Sequence, residues 1–436
     1  MQTGFFLFLF RRYLAVGQID IIVAGRTARL KGRNPGTISG TISGKVSGKD
    51  LGRNARNKLV IRLTDRAALR DLVIRPDLAF GELYMNGRLI LEEGSLPDLL
   101  ALLYENLNSW ADTLAGRLTL LANRIMGRAR SYNPLARARA NVAHHYDLGD
   151  DLYDLFLDPW RQFSCAYFAE DTMSLAAAQQ AKLARIAAKL CLRPGDRVLD
   201  IGCGWGGLGH ALVLLEQAVS VRGITLSDNQ LAHARRRAEE AGLTDRLDFQ
   251  LEDYRQTSGQ FDKIVSVGML EHVGPSHFKS YFRTVSDRLA PDGVALIHAI
   301  GSFGRANPNN RWIDKYIFPG GYLPDLEQMS AAALECGLKI TDIEIWRLHY
   351  ADTLAAWRQA FLANLDRLPD SYDARFVRMW DFYLAGCEQF FRSGRGMVFQ
   401  IQLVHDQAAV PRQRDFVEKK MQDYQDRLCQ IPPFGK

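Results

Sequence analysis

The sequence predicts an α/β protein, a mostly parallel sheet with helices on both faces, preceded by a smaller α+β domain. Three observations carry this. From about residue 140, short apolar runs (Arg197–Ile201, Val219–Thr225, Arg246–Gln250, Phe261–Val267 and Val294–Ile300) alternate with stretches of helical spacing. That is the pattern of parallel strands joined by right-handed crossovers. The first of these runs feeds straight into a glycine-rich turn, Asp200-Ile-Gly-Cys-Gly-Trp-Gly206, ahead of a helical stretch. The opening 125 residues or so lack that alternation, and a chain of 436 residues exceeds one ordinary core.

Taken in order, the chain opens with an apolar run, Phe5 to Phe10, followed by Arg11-Arg12. The run is far below the ~20 residues of a membrane-spanning helix. It also lacks the flanks of a secretory signal, so any membrane contact is expected from one side. Leu14 to Leu30 alternates as short strands do. Residues 34–50 repeat Thr-Ile-Ser-Gly and read as a loop or loose hairpin. Lys58–Leu63 is strand-like, and Asp77–Leu91 carries turn signals at Gly81 and Asn86-Gly87. Leu96 to Met126 has helical spacing, with Pro97 suited to a first turn. Arg117, Arg124, Arg128, Arg130, Arg137 and Arg139 then make a basic connector. The expected division is a first domain over 1–125, a linker over 126–140 and a catalytic domain over 141–436. The tail from Leu354 reads as mostly helical, ending in strand-like Val398–Val404.

Composition narrows the classes. Hydrophobic residues at 47% and charged residues at 24% belong to a folded protein, and a net charge of +6 is mild. Six scattered cysteines without a CxxC pair suggest reduced thiols and no metal site. His144 and His145 have no partner set for a metal. Nothing resembles a base-flipping motif, so no nucleic-acid partner is expected.

The stretch from Arg197 to Gly207 is the strongest local signal. Gly202, Gly204 and Gly206 allow close backbone approach to a ligand. A dinucleotide site would want an acidic residue about 20 positions on, at the tip of the second strand. Here that strand ends Thr225-Leu226-Ser227, with Asp228 just beyond. A glycine turn with no ligand is the plain alternative. The D-x-G-x-G-x-G pattern resembles motif I of class I S-adenosylmethionine methyltransferases, a Rossmann-like fold. On that resemblance Asp200 meets the methionine amino group. Gly202, Cys203, Gly204, Trp205 and Gly206 border the cofactor, Thr225, Leu226, Ser227 and Gln230 the ribose side, and Asp253 and Tyr254 the adenine.

Three further stretches narrow the family: HHYDLGDDLYDLFLDPWRQFSCAYF (144–168), VGMLEHVG (267–274) and RWIDKYIFPGGYL (311–323). With Ile297-His298-Ala-Ile300-Gly and His349-Tyr350 they resemble the cyclopropane-fatty-acid and mycolic-acid cyclopropane synthases over the C-terminal two thirds. The N-terminal FGELYMNG (80–87) resembles the lipid-binding domain of the phospholipid-acting branch. The resemblance implies methylene transfer from S-adenosylmethionine to an unsaturated phospholipid acyl chain, with bicarbonate as the base. Glu271 would orient that ion, and His298, Tyr350 and the backbone at Cys165 and Ile300 would hydrogen-bond it. Phe163 and Ser164 would touch the cofactor, with Phe163 where the family commonly has Tyr. Tyr316 and Phe318 would line the cation region, and Cys387 stands at a position sometimes treated as catalytic. A homodimer and a cytoplasmic protein attached to the inner membrane face are expected on the same ground.

The chemistry calls for such residues. An alkene is a weak nucleophile, and its attack on a sulfonium methyl leaves a cation that must lose a proton to close the ring. A dry slot, aromatic walls and a positioned base are therefore needed. Two other readings stay open: a relative yielding a methyl- or methylene-branched acyl chain, and a non-catalytic lipid-binding protein on the same fold.

Overall fold

A computed structural model describes residues 14–32, 58–111, 149–304 and 306–431. The apolar N-terminal run, the Gly/Ser-rich stretch, the arginine-rich connector and His144-His145 lie outside the described residues. By internal packing the chain forms two compact units. One gathers the described part of Met1–Gly127 with Asn309–Pro319 and Leu354–Arg395. The other holds the described part of Arg128–Pro308 with Gly320–Thr353 and Gly396–Lys436.

The first unit is α+β. Strands β1 (Gln18–Val23), β2 (Arg26–Lys31), β3 (Val60–Leu63) and β4 (Leu89–Glu93) form a sheet in the order β2-β1-β3-β4. Its inner face packs Ile21, Ile61 and Leu63 against Leu69 and Leu83 from the helices Arg66–Ile74 and Pro76–Met85. Asp65 caps the first of these helices by accepting from the Ala68 N–H at 2.9 Å. Asn86-Gly87 turns as expected, with Gly87 at φ 69°. Gly81 does not turn. It lies inside the helix Pro76–Met85 because a bare backbone is needed there: a Cβ would come within 2.3 Å of the Trp312 indole nitrogen.

That contact explains the FGELYMNG stretch. Glu82 accepts from Lys315 Nζ (2.7 Å) and from the Tyr316 hydroxyl (2.9 Å), and the Tyr84 hydroxyl donates to Asp381 (2.9 Å). Phe382 packs edge-on against Trp312 at 4.8 Å. The motif pins the helices Arg311–Tyr316 and Ala374–Arg392 to this unit, which is why residues far along the chain join it. The packing therefore differs from the expected single boundary near 126–140. Tyr316 and Phe318 belong here too, with Tyr316 bound to Glu82 and Phe318 edge-on to Tyr383 at 5.9 Å.

The second unit carries the expected sheet: β5 (Arg197–Ile201), β6 (Ser220–Thr225), β7 (Leu247–Leu251), β8 (Phe261–Val267), β9 (Leu289–Ser302), β12 (Lys339–Trp346) and β13 (Gly396–Val404). A separate pair, β10 (Asn307–Pro308) and β11 (Tyr322–Leu323), is antiparallel. The seven strands run β12-β13-β9-β8-β5-β6-β7, all parallel neighbours except at β13. Apolar cores cover both faces: Leu212, Val198 and Ala184 on one, Leu199, Ile264 and Phe282 on the other. The tail is helical as expected up to Arg392. Beyond β13 comes a helix, Phe416–Gln430, that the sequence reading did not foresee.

We expect Gly81→Val to lower stability by roughly 2 kcal/mol through overpacking against Trp312. Thermal unfolding with an unchanged melting temperature would show that the contact is slack.

Candidate active site

Strand order decides where a ligand can sit. From β5 the chain moves to β6 and β7 on one side, then returns to place β8 on the other. The crevice at the carboxyl ends of such strands is the usual site of an α/β sheet. A cleft of about 1140 Å³, counting its solvent-open mouth, lies there. All the residues expected at the cofactor line it except Gly206 and Ser227. Gly206 instead starts the helix Gly207–Leu215 at φ 81°, where a Cβ would meet Phe249 at 2.7 Å. Ser227 caps the helix Asp228–Glu240, accepting from the Gln230 N–H at 3.2 Å. Gly202 and Gly204 are also left-handed, at φ 82° and 55°.

Sequence reasoning missed several lining residues: Arg161 and Gln162, Arg255, and Gly268, Met269 and His272 after β8. A usable signal was present for the last group, because Gly268 follows a buried strand at the same edge of the sheet. Also unforeseen is Lys182, wholly buried, whose Nζ donates to Ser164 Oγ at 2.8 Å. Burial pushes this amine down to about 7. Gln179, Lys182, Arg185 and Lys189 recur at helical spacing on the buried face of that helix, a polar stripe that could have flagged it.

Asp200 closes β5 and is 1% exposed; its Oδ2 has no hydrogen-bond partner. Burial raises its carboxyl to about 7. Glu271 sits in a 3-10 turn, Leu270–His272, just past β8. Its Oε1 accepts from the Ile300 N–H on β9, and its Oε2 is buried without a partner. Burial pushes Glu271 to about 7 against the pull of that N–H. The Ile300 N–H is thus engaged by the carboxyl itself, whereas the sequence reading aimed it at an anion.

His298 lies on β9 opposite Val267, and its carbonyl accepts from the Gly268 N–H at 2.9 Å. Burial drives the imidazole down to about 3, so it is neutral. Gln400 Nε2 lies 3.1 Å from its Nδ1, which leaves the ring proton on Nε2 when the amide donates. The Trp346 ring stands edge-on to His298 at 5.0 Å and to His349 at 5.9 Å. Tyr350, 8% exposed, follows in the first turn of the helix His349–Ala363. Thr353, in the same helix, accepts from the Ala166 N–H at 3.0 Å and so fixes the irregular stretch that carries Cys165. Glu271, Ile300, His298, Tyr350 and Cys165 thus lie on linked segments of one unit. Cys387 does not: it lies in the first unit, on the helix Ala374–Arg392. Burial raises its thiol to about 12 and that of Cys165 well above its ordinary value, so neither is a thiolate at neutral pH.

A parallel-rich sheet with a glycine turn and a buried acid at the end of its first strand defines a class I S-adenosylmethionine-dependent methyltransferase. Residues 134–401 match the family described as mycolic acid cyclopropane synthetase, and the chain belongs to that family. The cyclopropane-fatty-acyl-phospholipid synthase of Escherichia coli (strain K12) is 44% identical over 280 residues, 64% of this chain and 71% of that one. The tuberculostearic acid methyltransferase UfaA1 of Mycobacterium tuberculosis is 36% identical over 357 residues, 76% of this chain and 79% of its own. Among solved structures, mycolic acid cyclopropane synthase CmaA1 complexed with SAH and CTAB superposes with a TM-score of 0.57 at 34% identity. It covers 62% of this chain and 98% of that one.

The two raised acids give a pH dependence with a definite sign. In the unfolded chain both ionise near their ordinary values of 3.8 and 4.5, and in the fold they hold their protons to about 7. Between those limits the native state binds more protons than the unfolded one, so ligand-free stability falls as pH rises from about 4.5 to 8. Asp200 accounts for up to about 4 kcal/mol and Glu271 for up to about 3 kcal/mol. Glu271→Gln should flatten the decline in denaturant titrations; an identical slope in the variant would contradict the burial argument.

Proposed function

We propose that this enzyme transfers a methylene group from S-adenosylmethionine to the cis double bond of an unsaturated acyl chain in a membrane phospholipid, forming a cyclopropane ring, with bicarbonate as the base. The observation that carries the reading is Glu271, a walled-in carboxyl with one oxygen on the Ile300 N–H and the other unpartnered. Met269, just before its turn, and His272, within it, line the cofactor cleft.

Asp200 suits the cofactor. A buried carboxyl oxygen without a partner is matched by an ammonium group, and the glycine turn leaves bare backbone beside it. When bound, S-adenosylmethionine supplies an electrophilic methyl group. Phe163 and Trp205 exclude water on one wall, and Ser164 is held in place by Lys182. The anion site is tested in the same way. Glu271, whose carboxyl burial raises to about 7, can donate from Oε2 in its protonated form, and His298, kept neutral, can donate from Nε2. The Tyr350 hydroxyl and the Cys165 backbone would complete the set. Bicarbonate held there would supply the oxygen that takes the proton lost on ring closure.

The first unit is proposed to bind phospholipid headgroups. Its FGELYMNG polar groups are engaged internally, so headgroup contacts must come from other residues. No helix among the described residues is long and apolar enough to cross a membrane. A cytoplasmic protein docked on the inner face, and a homodimer, complete the proposal.

A second reading has an observation in its favour: the methyltransferase UfaA1 is similar over more than the catalytic region, 76% of this chain. On it the product is a methyl- or methylene-branched chain. The two are separated by incubating the protein with unsaturated phospholipid vesicles and S-adenosylmethionine and reading acyl-chain protons by NMR. Cyclopropane ring protons with loss of olefinic signal are expected; a branched product would retain an alkene. Glu271→Gln should cut turnover by at least about a hundredfold, the scale of a positioned acid–base group. Its S-adenosylmethionine affinity by calorimetry should stay within about threefold, well under 1.4 kcal/mol. A variant with wild-type turnover would remove Glu271 from the mechanism.

A further inference from the structure

Arg161 lies in the Pro159-Trp-Arg-Gln-Phe-Ser164 stretch of the second unit, between the single helical turn Asp150–Tyr153 and the helix Leu175–Lys189. Its φ is 48°, left-handed for a residue with a side chain, a conformation that persists only where the surroundings enforce it. The surroundings are charged. Arg161 Nη1 lies 2.9 Å from Asp150 Oδ1 and 3.2 Å from His233 Nδ1, and Nη2 pairs with Asp154. Arg236 Nη2 reaches the same His233 nitrogen at 3.0 Å, and the Trp205 indole N–H points to Asp150 at 3.4 Å.

Four pieces of chain meet there: the turn Asp150–Tyr153, the 158–163 loop, Trp205 of the glycine turn, and the helix Asp228–Glu240. Arg161 itself lines the cofactor cleft. So do Phe163 and Ser164 from its own loop, and Gln230 from the helix that carries His233. Tyr153, fully buried, backs the arrangement by packing on Trp205 at 4.7 Å and on Phe163 at 5.5 Å. The guanidinium therefore ties together two segments that both line the cleft.

We propose that Arg161, with Asp150 and His233, is an ionic clasp that holds the 150–163 segment against the helix Asp228–Glu240 and so sets how tightly S-adenosylmethionine is retained. Arg161 is a positioning residue: it acts through Phe163, Ser164 and Gln230. Burial keeps the His233 imidazole below its ordinary pKa, which suits its Nδ1 as an acceptor. Asp150, facing His233 and Arg161, is held down at about 2 and stays ionised. The Asp150 and Asp154 side chains are 40% and 49% exposed, so the clasp is open to screening by salt.

The proposal rests on reading the cleft as the cofactor site, and calorimetry on the full-length wild type separates the two. If the wild type does not bind S-adenosylmethionine, the site reading fails, whatever the clasp does. Given wild-type binding, Arg161→Met should raise Kd and KM for S-adenosylmethionine roughly tenfold, about 1.4 kcal/mol, with kcat at saturation within about twofold. Arg161→Lys should recover part of the loss. Wild-type affinity should also weaken more than that of Arg161→Met as salt rises. Asp150→Asn, at a half-exposed carboxyl, should repeat the Kd effect, and its combination with Arg161→Met should add little. Unchanged affinity in both single variants, or a fall in kcat with Kd intact, overturns the clasp.

Discussion

Asp200 and Glu271 are buried acids, each with one oxygen lacking a partner. In water both would be ionised near neutral pH; here desolvation holds their protons to about 7. Such groups survive only where neighbouring structure over-determines their position. Asp200 ends β5, Glu271 follows β8, and the N–H that holds Glu271 comes from β9, three adjacent strands of one sheet. The register of those strands, fixed by apolar cores on both faces, is what keeps the two acids in place.

The same unit shows what buried charge looks like when it serves only the fold. Arg185 makes two hydrogen bonds to Glu344, at 2.7 and 2.9 Å, and also pairs with Glu418; Lys189 lies 3.2 Å from Asp342. Glu344 is accordingly pulled down to about 2, the opposite direction from Asp200 and Glu271. Paired charges tie the helix Leu175–Lys189 to β12 and the C-terminal helix. Unpaired acids gather at the carboxyl edge of the sheet, beside the cleft.

Much of this was legible in the sequence, because strands buried on both faces are short apolar runs and glycine turns cannot be hidden. The five strands anticipated from Arg197 to Ile300 all exist, within a residue or two at most ends; β9 runs longer, from Leu289. Gly81 misled: a glycine reads as a turn unless the indole that needs its bare backbone is known, and Trp312 is more than two hundred positions away. The assignment of residues 309–319 and 354–395 to the first unit was illegible for the same reason, since hydrogen bonds such as Tyr84 to Asp381 leave no local periodicity. Family likeness pointed to Glu271 and His298 but not to Arg161 or Lys182, whose roles depend on what surrounds them in space.

The protonation of Glu271 bears on which group can be the base. An ionised carboxylate near a sulfonium methyl is a nucleophile as well as a base, and could take the methyl group itself. With Oε1 tied to the Ile300 N–H and burial raising its carboxyl to about 7, Glu271 is divided between acid and carboxylate near neutral pH, and only the protonated form can donate from Oε2. His298, depressed to about 3, is too weak a base to remove a proton, though it too can donate. His298 thus favours giving a hydrogen bond over accepting a proton, as does Glu271 when it is protonated. In the proposed reaction an exchangeable anion held between such donors would take the proton.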